Sequence, residues 1–449
     1  MSAIGIVSSK QGGELTPQAR RAIWGAFIGF FVDNYDIFLP VIALAPAITY
    51  FIPKTISPTT ASIATAMIFA TTLIGRPLGA FIFGHLADTI GRKRIAVISV
   101  FGFGVITLLI AMLPGYEAWG ESVIYVFIAL RLVDGVFLGG EYTSANPLAM
   151  EFCPKEKRGL YGGVIASAAS LGTATISLVT LAVLLVIPGG GPDAPYARWG
   201  WRIPFFVGAI MAFALAAYYH RSVDESAIWQ NTKRTKSPIT TLFQGENLRS
   251  FLQVFTLMTG FWLSLNASLA VLPGLLISQM HVTGKDLTFV LVVAYVVLGG
   301  VYILGGAVSQ RIGRRTYIMC ASAVSAVFGT FCYYQLLNTE PGNMPVILLL
   351  ATLVVVFVVA PGATGTVYIT ERFQTGVRAT GFGLSYGLAI ILPAFYVFYQ
   401  AGLANFMPFK YTVLVLVVVG AAFIFVGAAW GPETKDVDFE TMSPSGESR

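Results

Sequence analysis

Twelve stretches of this chain run for about 20 residues or more with few charges. They cover 22–50, 61–87, 95–114, 122–149, 159–187, 203–220, 251–279, 287–308, 316–337, 346–369, 380–403 and 411–430. In lipid no water is at hand for a backbone N–H or C=O, and a helix satisfies those groups within its own segment. The runs therefore predict twelve membrane-crossing helices, and several are long enough to tilt or protrude. Composition agrees. Of 449 residues 56% are hydrophobic and only 11% charged, against about 25% charged in soluble proteins. Mean hydropathy is +0.75. The expected class is an all-α membrane protein whose outer surface faces lipid.

The basic residues predict the orientation. If the N-terminus, the even-to-odd loops and the C-terminus share one side, the other side holds only Lys54, Arg198, Arg202, Lys285 and Lys410. Arg76 and Arg131 lie within spans, so 21 of the 28 Lys and Arg fall on the terminal side. By the positive-inside rule that side is cytoplasmic. The same topology accounts for the net charge of +6, so no nucleic-acid partner is expected. The first 21 residues carry Lys10, Arg20 and Arg21 and no apolar core, so no signal peptide is expected. Thr16-Pro17 reads as an N-cap followed by Pro at the first helical position. Cys153, Cys320 and Cys332 have no metal-ligand spacing.

The chain repeats itself. Gly84-His85-Leu86-Ala87-Asp88-Thr89-Ile90-Gly91-Arg92-Lys93 follows the second span, and Gly306-Ala307-Val308-Ser309-Gln310-Arg311-Ile312-Gly313-Arg314-Arg315 follows the eighth, 222 residues later. Glu151 and Arg158 bracket the loop after span 4; Glu371 and Arg378 do so after span 10, 220 residues later. Two motif pairs at nearly one offset predict duplicated six-helix lobes, the symmetry of an alternating-access transporter. The division expected is a tail at 1–21, a lobe at 22–220, a cytoplasmic linker at 221–250 with Lys233, Arg234, Lys236 and Arg249, a lobe at 251–430, and a tail at 431–449. Gating candidates are Gly84, Asp88, Gly91, Arg92 and Arg94, with Glu151, Arg158, Gly313, Arg314, Glu371 and Arg378. Asp88 is expected to pair with arginines across the loops, and Glu151–Arg158 to add a second clasp. Gln310 replaces the acid in the second copy, so that clasp should be weaker.

Six ionisable residues interrupt the apolar spans, all in the first third: Asp33, Asp36, Arg76, Arg131, Asp134 and Glu141. Charges at such depth are costly unless paired or hydrated, and they mark pathways. Asp33 and Asp36 are three residues apart and share a helix face. Two carboxylates there cannot both ionise cheaply, so one is expected to hold a proton. Asp33, Asp36 and Glu141 are thus the proton-coupling candidates. Arg76, with no acid in its own span, must pair across helices or bind an anion, and a guanidinium matches a carboxylate with two hydrogen bonds. Arg131 is a second anion-binding candidate, or else forms a structural pair with Asp134. Tyr35, Trp262 and Asn266 complete the expected substrate site. Tyr295, Tyr368, Tyr386, Tyr396 and Gln400 are weaker candidates, since aromatics in apolar helices mostly pack.

Gly84 to Arg94 matches the hallmark loop of the major facilitator superfamily, and Pro432-Glu433-Thr434-Lys435 matches the tail often found after its last span. More narrowly the chain resembles the metabolite:proton symporters. The stretches that carry this are Arg76-Pro77-Leu78-Gly79, Gly139-Gly140-Glu141, the Glu151-to-Arg158 loop, Gly200-Trp201-Arg202-Ile203-Pro204-Phe205 and Asp224-Glu225-Ser226. Where that family has Glu-Trp-Tyr-Asp-Phe in span 1, this chain has Asp33-Asn34-Tyr35-Asp36-Ile37, which is similar to the aromatic-acid and sialate symporters. Span 5 reads Gly162-Gly163 without the Gly-Pro-x-x-Gly-Gly pattern of drug antiporters, which favours uptake.

The resemblance and the buried charges together imply proton-coupled symport of a small organic anion, a mono- or dicarboxylate. The alternatives are an aromatic acid, a zwitterion such as a betaine or amino acid, or a sugar. No cofactor is expected beyond the proton as coupling ion. The expected partners are the anion, protons and the bilayer. The protein is expected to be a functional monomer in a plasma membrane, the inner membrane if bacterial. No nucleophile–base or metal constellation argues for an enzyme, and the tails are too short for a signalling domain.

Overall fold

The computed structural model describes residues 15–53, 58–189, 193–231, 237–282 and 284–439. Lys10, Lys54, Lys233, Arg234, Lys236 and Arg449, which entered the charge tally, lie outside the described residues. Among the described residues twelve helices cross the molecule. They are α1 (Pro17–Leu44), α2 (Pro58–Ile90), α3 (Arg92–Ala111), α4 (Ser122–Phe152), α5 (Lys155–Val186), α6 (Tyr196–Ser222), α7 (Gly245–Met280), α8 (Asp286–Ile312), α9 (Arg314–Leu337), α10 (Met344–Arg372), α11 (Thr375–Leu403) and α12 (Phe409–Trp430). All but α2 are long and apolar enough, over described residues, to cross a bilayer. At 33 residues α2 spans about 50 Å, which is ample.

Each expected span is present, with ends that differ for a physical reason. α1 opens at Pro17, and Thr16 Oγ1 accepts the Ala19 N–H at 3.1 Å. Arg20 and Arg21 join the helix because its first turns lie outside the apolar zone. α7 begins at Gly245, six residues before the apolar run, with Glu246 in the first turn favoured by the positive helix end. The linker also holds two short helices, Ala227–Asn231 and Pro238–Leu242.

Several crossings lose regular α geometry past their middles. α1 is regular to Ile37 and then loosens into a π segment at Pro40–Leu44. Pro40 lacks an N–H and its ring crowds the carbonyl four residues back, that of Asp36. α7, the repeat partner of α1, has a π segment at Ala267–Val271, just before Pro273. α10 tightens to a 3-10 turn at Ala360–Thr364, which contains Pro361. Broken helices at mid-depth are how transporters expose backbone and side chains to cargo.

Glycines set the closest packing. Across α2 and α4, a methyl on Gly75, Gly79, Gly135 or Gly139 would strike the facing backbone carbonyl of Leu132, Val136, Thr72 or Arg76. This small-residue interlock holds two helices with little clearance. The lobes meet where α5 packs on α8 and where α2 packs on α11, contacts that the repeat exchanges. On the first of these, Gly159 and Gly163 face Gly306 backbone to backbone.

Candidate functional site

Asp33 and Asp36 each have their own arginine. Three residues turn α1 by 300°, so the two carboxylates diverge by about 60°. Asp33 accepts from Arg76 of α2 at 3.0 Å. Asp36 accepts from Arg131 of α4 at 3.1 Å and from Thr107 Oγ1 at 2.6 Å. Arg131 also reaches Asp134 at 2.8 Å. All of these side chains are buried. Arg131 lies wholly inside the first lobe, under the Phe205 ring, and lines neither of the central cavities described below. The pairing expected for Arg76 is made across helices. The shared acid pair is instead two separate ion pairs.

Two adjoining cavities lie between the lobes. The larger is lined by Phe30, Asn34, Ser170 and Thr173 of the first lobe and by Phe261, Trp262, Tyr295, Tyr302, Tyr368 and Tyr386 of the second, among others. The smaller is lined by Asn34, Arg76, Trp262, Asn266 and Tyr386 with aliphatic neighbours. Among the described residues that line the two cavities, Arg76 is the charged one. Its guanidinium lies 4.8 Å from the centre of the Tyr142 ring. Tyr142 packs on Tyr386 at 4.8 Å, and Tyr386 on Trp262 at 5.1 Å. An aromatic chain thus runs from the buried arginine into the second lobe.

Of the expected contacts, Trp262 lines both cavities and donates from Nε1 to the Tyr386 carbonyl at 3.1 Å. Asn266 lines the smaller and donates to the Pro393 carbonyl at 3.0 Å. Tyr35 lines neither, because it points back into the first lobe and donates to the Pro204 carbonyl at 3.0 Å. Its neighbour Asn34, one residue and about 100° around the helix, takes the cavity position. Tyr295, Tyr368 and Tyr386 line the larger cavity, whereas Gln400 is tied to Thr412 at 3.0 Å. Asn34, Tyr302 and Phe261 also line the larger cavity; in the sequence only Asn34 carries a signal, its place in the acidic run of α1.

On the face where α1 begins and α12 ends, called here the terminal face, the loop motifs form one buried network. Glu151 does not pair with Arg158. Its carboxylate binds Arg92 of its own half, Arg378 of the other half and the Ser226 hydroxyl. Arg158 turns away, donating to the Cys153 carbonyl at 3.2 Å and the Val437 carbonyl at 2.9 Å, with Phe439 stacked on its guanidinium. The second half repeats the intra-lobe part: Glu371 meets Arg314 at 3.4 Å and the Thr434 hydroxyl at 2.7 Å. Asp88 accepts from Ala379 N at 3.2 Å and from Thr380 N and Oγ1 at 2.8 Å each, capping the start of α11. Arg92 is its cationic neighbour at 3.5 Å. Gly84 comes within methyl contact of the Thr380 Cα, so a side chain there would part α2 from α11. Arg94 is exposed.

The glycines of the two motifs work alike. Gly91 has φ +119° and Gly313 φ +102°, backbone that other residues rarely adopt. Each starts the next helix under an acid. Glu225 accepts from Lys93 N at 3.1 Å, and Glu433 from Arg314 N at 2.7 Å and Arg315 N at 3.1 Å. Burial pushes the Glu225 carboxyl above its ordinary range. The pairs Glu225-Ser226 and Glu433-Thr434 therefore play one part twice. The acid caps a helix, and the hydroxyl next to it holds the loop carboxylate, Glu151 or Glu371.

Residues 26–304 match the family model described as Major Facilitator Superfamily, which is more than half of the chain. The chain belongs to the major facilitator superfamily. Residues 221–445 also match the model described as Sugar (and other) transporter. The alpha-ketoglutarate permease of Escherichia coli (strain K12) is 30% identical over 377 residues, covering 82% of this chain and 84% of that one. The shikimate transporter of the same strain is 33% identical over 211 residues, 47% of each chain. A solved structure of the proton:xylose symporter XylE with 6-bromo-6-deoxy-D-glucose aligns at TM-score 0.73 and 17% identity, over 95% of this chain and 98% of that one. At that identity the likeness is one of fold. The protein is a multi-pass membrane transporter of this superfamily, close to the metabolite transporters, and not an enzyme.

Proposed function

We propose that the protein takes up a small organic anion, a mono- or dicarboxylate, together with protons. One observation carries this reading: Arg76 lines the smaller cavity while bound to the buried carboxylate of Asp33 at 3.0 Å. A proton on Asp33 weakens that ion pair and frees the guanidinium for a substrate carboxylate, so proton and anion enter together. Loss of the proton lets Asp33 reclaim Arg76 and expels the anion. Asp36, Arg131 and Asp134 then hold α1 against α4 as a structural unit beside the site. The likeness to an alpha-ketoglutarate permease supports a carboxylate cargo.

The lobes, residues 22–220 and 251–430, rock about this site. In the state described, Glu151–Arg378 and the Asp88 cap on α11 hold the terminal face shut, and both must part for it to open. The positive-inside bias makes that face cytoplasmic, in the inner membrane if the cell is bacterial. The protein works as a monomer with the proton as its coupling ion.

A ring-bearing acid is the second reading. The aromatic lining of the larger cavity favours it, since Trp262, Tyr295, Tyr302 and Tyr386 offer faces for a ring and hydroxyls for its substituents. Counterflow in proteoliposomes with 2-oxoglutarate, shikimate and benzoate, and with proline, betaine and xylose as controls, separates these classes. A carboxylate that exchanges in counterflow, and whose net uptake stops when the proton gradient is collapsed, is expected. Uptake indifferent to that gradient sinks the coupling, and wild-type transport by Arg76→Ala sinks the anion site.

A further inference from the structure

Gly25, Gly29 and Asp33 recur every four residues on α1 and so share one face. The two glycines are filled from outside. A methyl on Gly29 would strike Oε1 of Glu141 from α4 and lie 3.1 Å from the Tyr219 hydroxyl of α6. A methyl on Gly25 would lie 2.9 Å from the Tyr219 ring. The Glu141 carboxyl therefore lies beside Gly29, about one turn nearer the terminal face than Asp33, and the Tyr219 hydroxyl meets it at that level while the Tyr219 ring continues past Gly25 toward the terminal face. Asp33 is fully buried, and Glu141 and Tyr219 are 1% exposed. Asp33 Oδ1, both Glu141 oxygens and Tyr219 Oη have no hydrogen-bond partner among the described residues. Tight helix packing alone does not call for a carboxyl and a phenol there. An ionised carboxylate so placed costs far more than a protonated one. None of these atoms borders the substrate cavities except through Arg76.

We propose that Asp33, Glu141 and Tyr219 form a proton relay inside the first lobe, running along the glycine face of α1 toward the terminal face and apart from the substrate route. The proposal rests on the proton-coupled reading above and adds Tyr219 to it. The proton leaves an Asp33 oxygen and forms an O–H bond on Glu141, directly or through one water. Glu141 then passes a proton to Tyr219 Oη as the phenol gives its own to a water that enters beside it from the terminal face. One O–H bond forms and one breaks at each oxygen, so Tyr219 ends neutral. Tyr219 is rooted in the last turn of α6, beside the exposed His220 and Arg221, and its side chain reaches inward from there to Glu141. The groups facing Glu141 are Asp33 of α1, Arg76 of α2, Tyr219 of α6 and Tyr386 of α11. Tyr218 stands beside Tyr219. Ser99 is what α3 presents to the neighbouring Gly140.

Infrared difference spectra of the full chain in lipid nanodiscs test the rungs without any substrate. A carbonyl band of a protonated carboxyl at neutral pH is expected, lost in Glu141→Gln and moved in Tyr219→Phe, with the amide bands unchanged. No such band, or one unmoved by Tyr219→Phe, overturns the relay. Pyranine-loaded proteoliposomes then compare proton-driven accumulation with counterflow of whichever of 2-oxoglutarate, shikimate or benzoate exchanges fastest. In both variants accumulation should fall about tenfold or more relative to counterflow. An unchanged ratio in Tyr219→Phe, in a wild type that is proton-driven, overturns the relay alone. A wild type indifferent to the gradient overturns the coupling itself. If none of the three acids exchanges, the organic-anion reading falls and the spectra still decide the rungs.

Discussion

The two copies of the loop motif hold the lobes with unequal grips. In the first, Asp88 takes three hydrogen bonds from the start of α11, two of them from backbone N–H groups, where a negative charge suits the helix dipole. In the second, Gln310 faces the start of α5 and accepts one, from Gly159 N at 2.8 Å, while also receiving Arg314 at 2.9 Å. The loop acids differ in the same sense. Glu151 binds arginines of both halves, whereas the ion pair of Glu371 is to Arg314 within its own half. The tail takes part on the weaker side, where the Val437 carbonyl and the Phe439 ring engage Arg158. Phe439 also lies 4.0 Å from the Arg378 guanidinium. A duplicated scaffold has thus kept the positions while placing the charge that crosses the lobes in one copy.

Breaking the strong copy should have the largest effect. Glu151→Gln leaves Arg378 buried without its anion and Arg92 with Asp88 alone, a loss of about 3–5 kcal/mol for a broken buried pair. The terminal face should open, and the buried thiol of Cys153 should label faster with maleimide. Glu371→Gln should lower thermal stability with much less labelling. Equal labelling in the two variants would mean that the copies grip alike.

Asp88→Asn comes next, with an expected cost of about 1–3 kcal/mol to the closed state as charged acceptors become neutral. Maleimide labelling should rise less than in Glu151→Gln. Gln310→Ala removes a neutral acceptor and should cost about 0.5–1.5 kcal/mol, read by the same labelling. The smallest and most telling change is Gln310→Glu. It restores an acid at the start of α5 and should favour closure by about 0.3–1 kcal/mol. Slower counterflow with reduced labelling is the expected outcome. Labelling that rises instead would show that the second copy cannot use a charge.

The interior of the lobes carries the same contrast, and its legibility differs by kind of fact. That α1, α2 and α4 carry the buried charges could be read directly, since each charge interrupts an apolar run. That Arg76 needed a partner across helices could also be read, because its own span offers no acid. Which acid it takes could not. Asp33 and Asp36 are equivalent by spacing, and only the rotation of α1 between α2 and α4 assigns one to each arginine. The same rotation puts Asn34 rather than Tyr35 in the cavity. Tyr219 left no mark at all, being one of many aromatics near a helix end, until Gly25 and Gly29 were found to accept it.

Twelve crossings, their order, the repeat with its motif glycines Gly91 and Gly313, and the N-cap at Thr16 followed from the sequence by itself. They depend on interactions within a few residues: the backbone bonds a lipid-buried segment must close on itself, the capping side chain, the positive φ that glycine permits. The partners were decided by tertiary structure alone. Glu151 meets Arg378 across 227 residues of chain, and Asp88 meets Thr380 across 292. Such pairings depend on how each helix is turned and how closely glycines let it approach its neighbour, and an apolar helix can be rotated without changing its hydropathy.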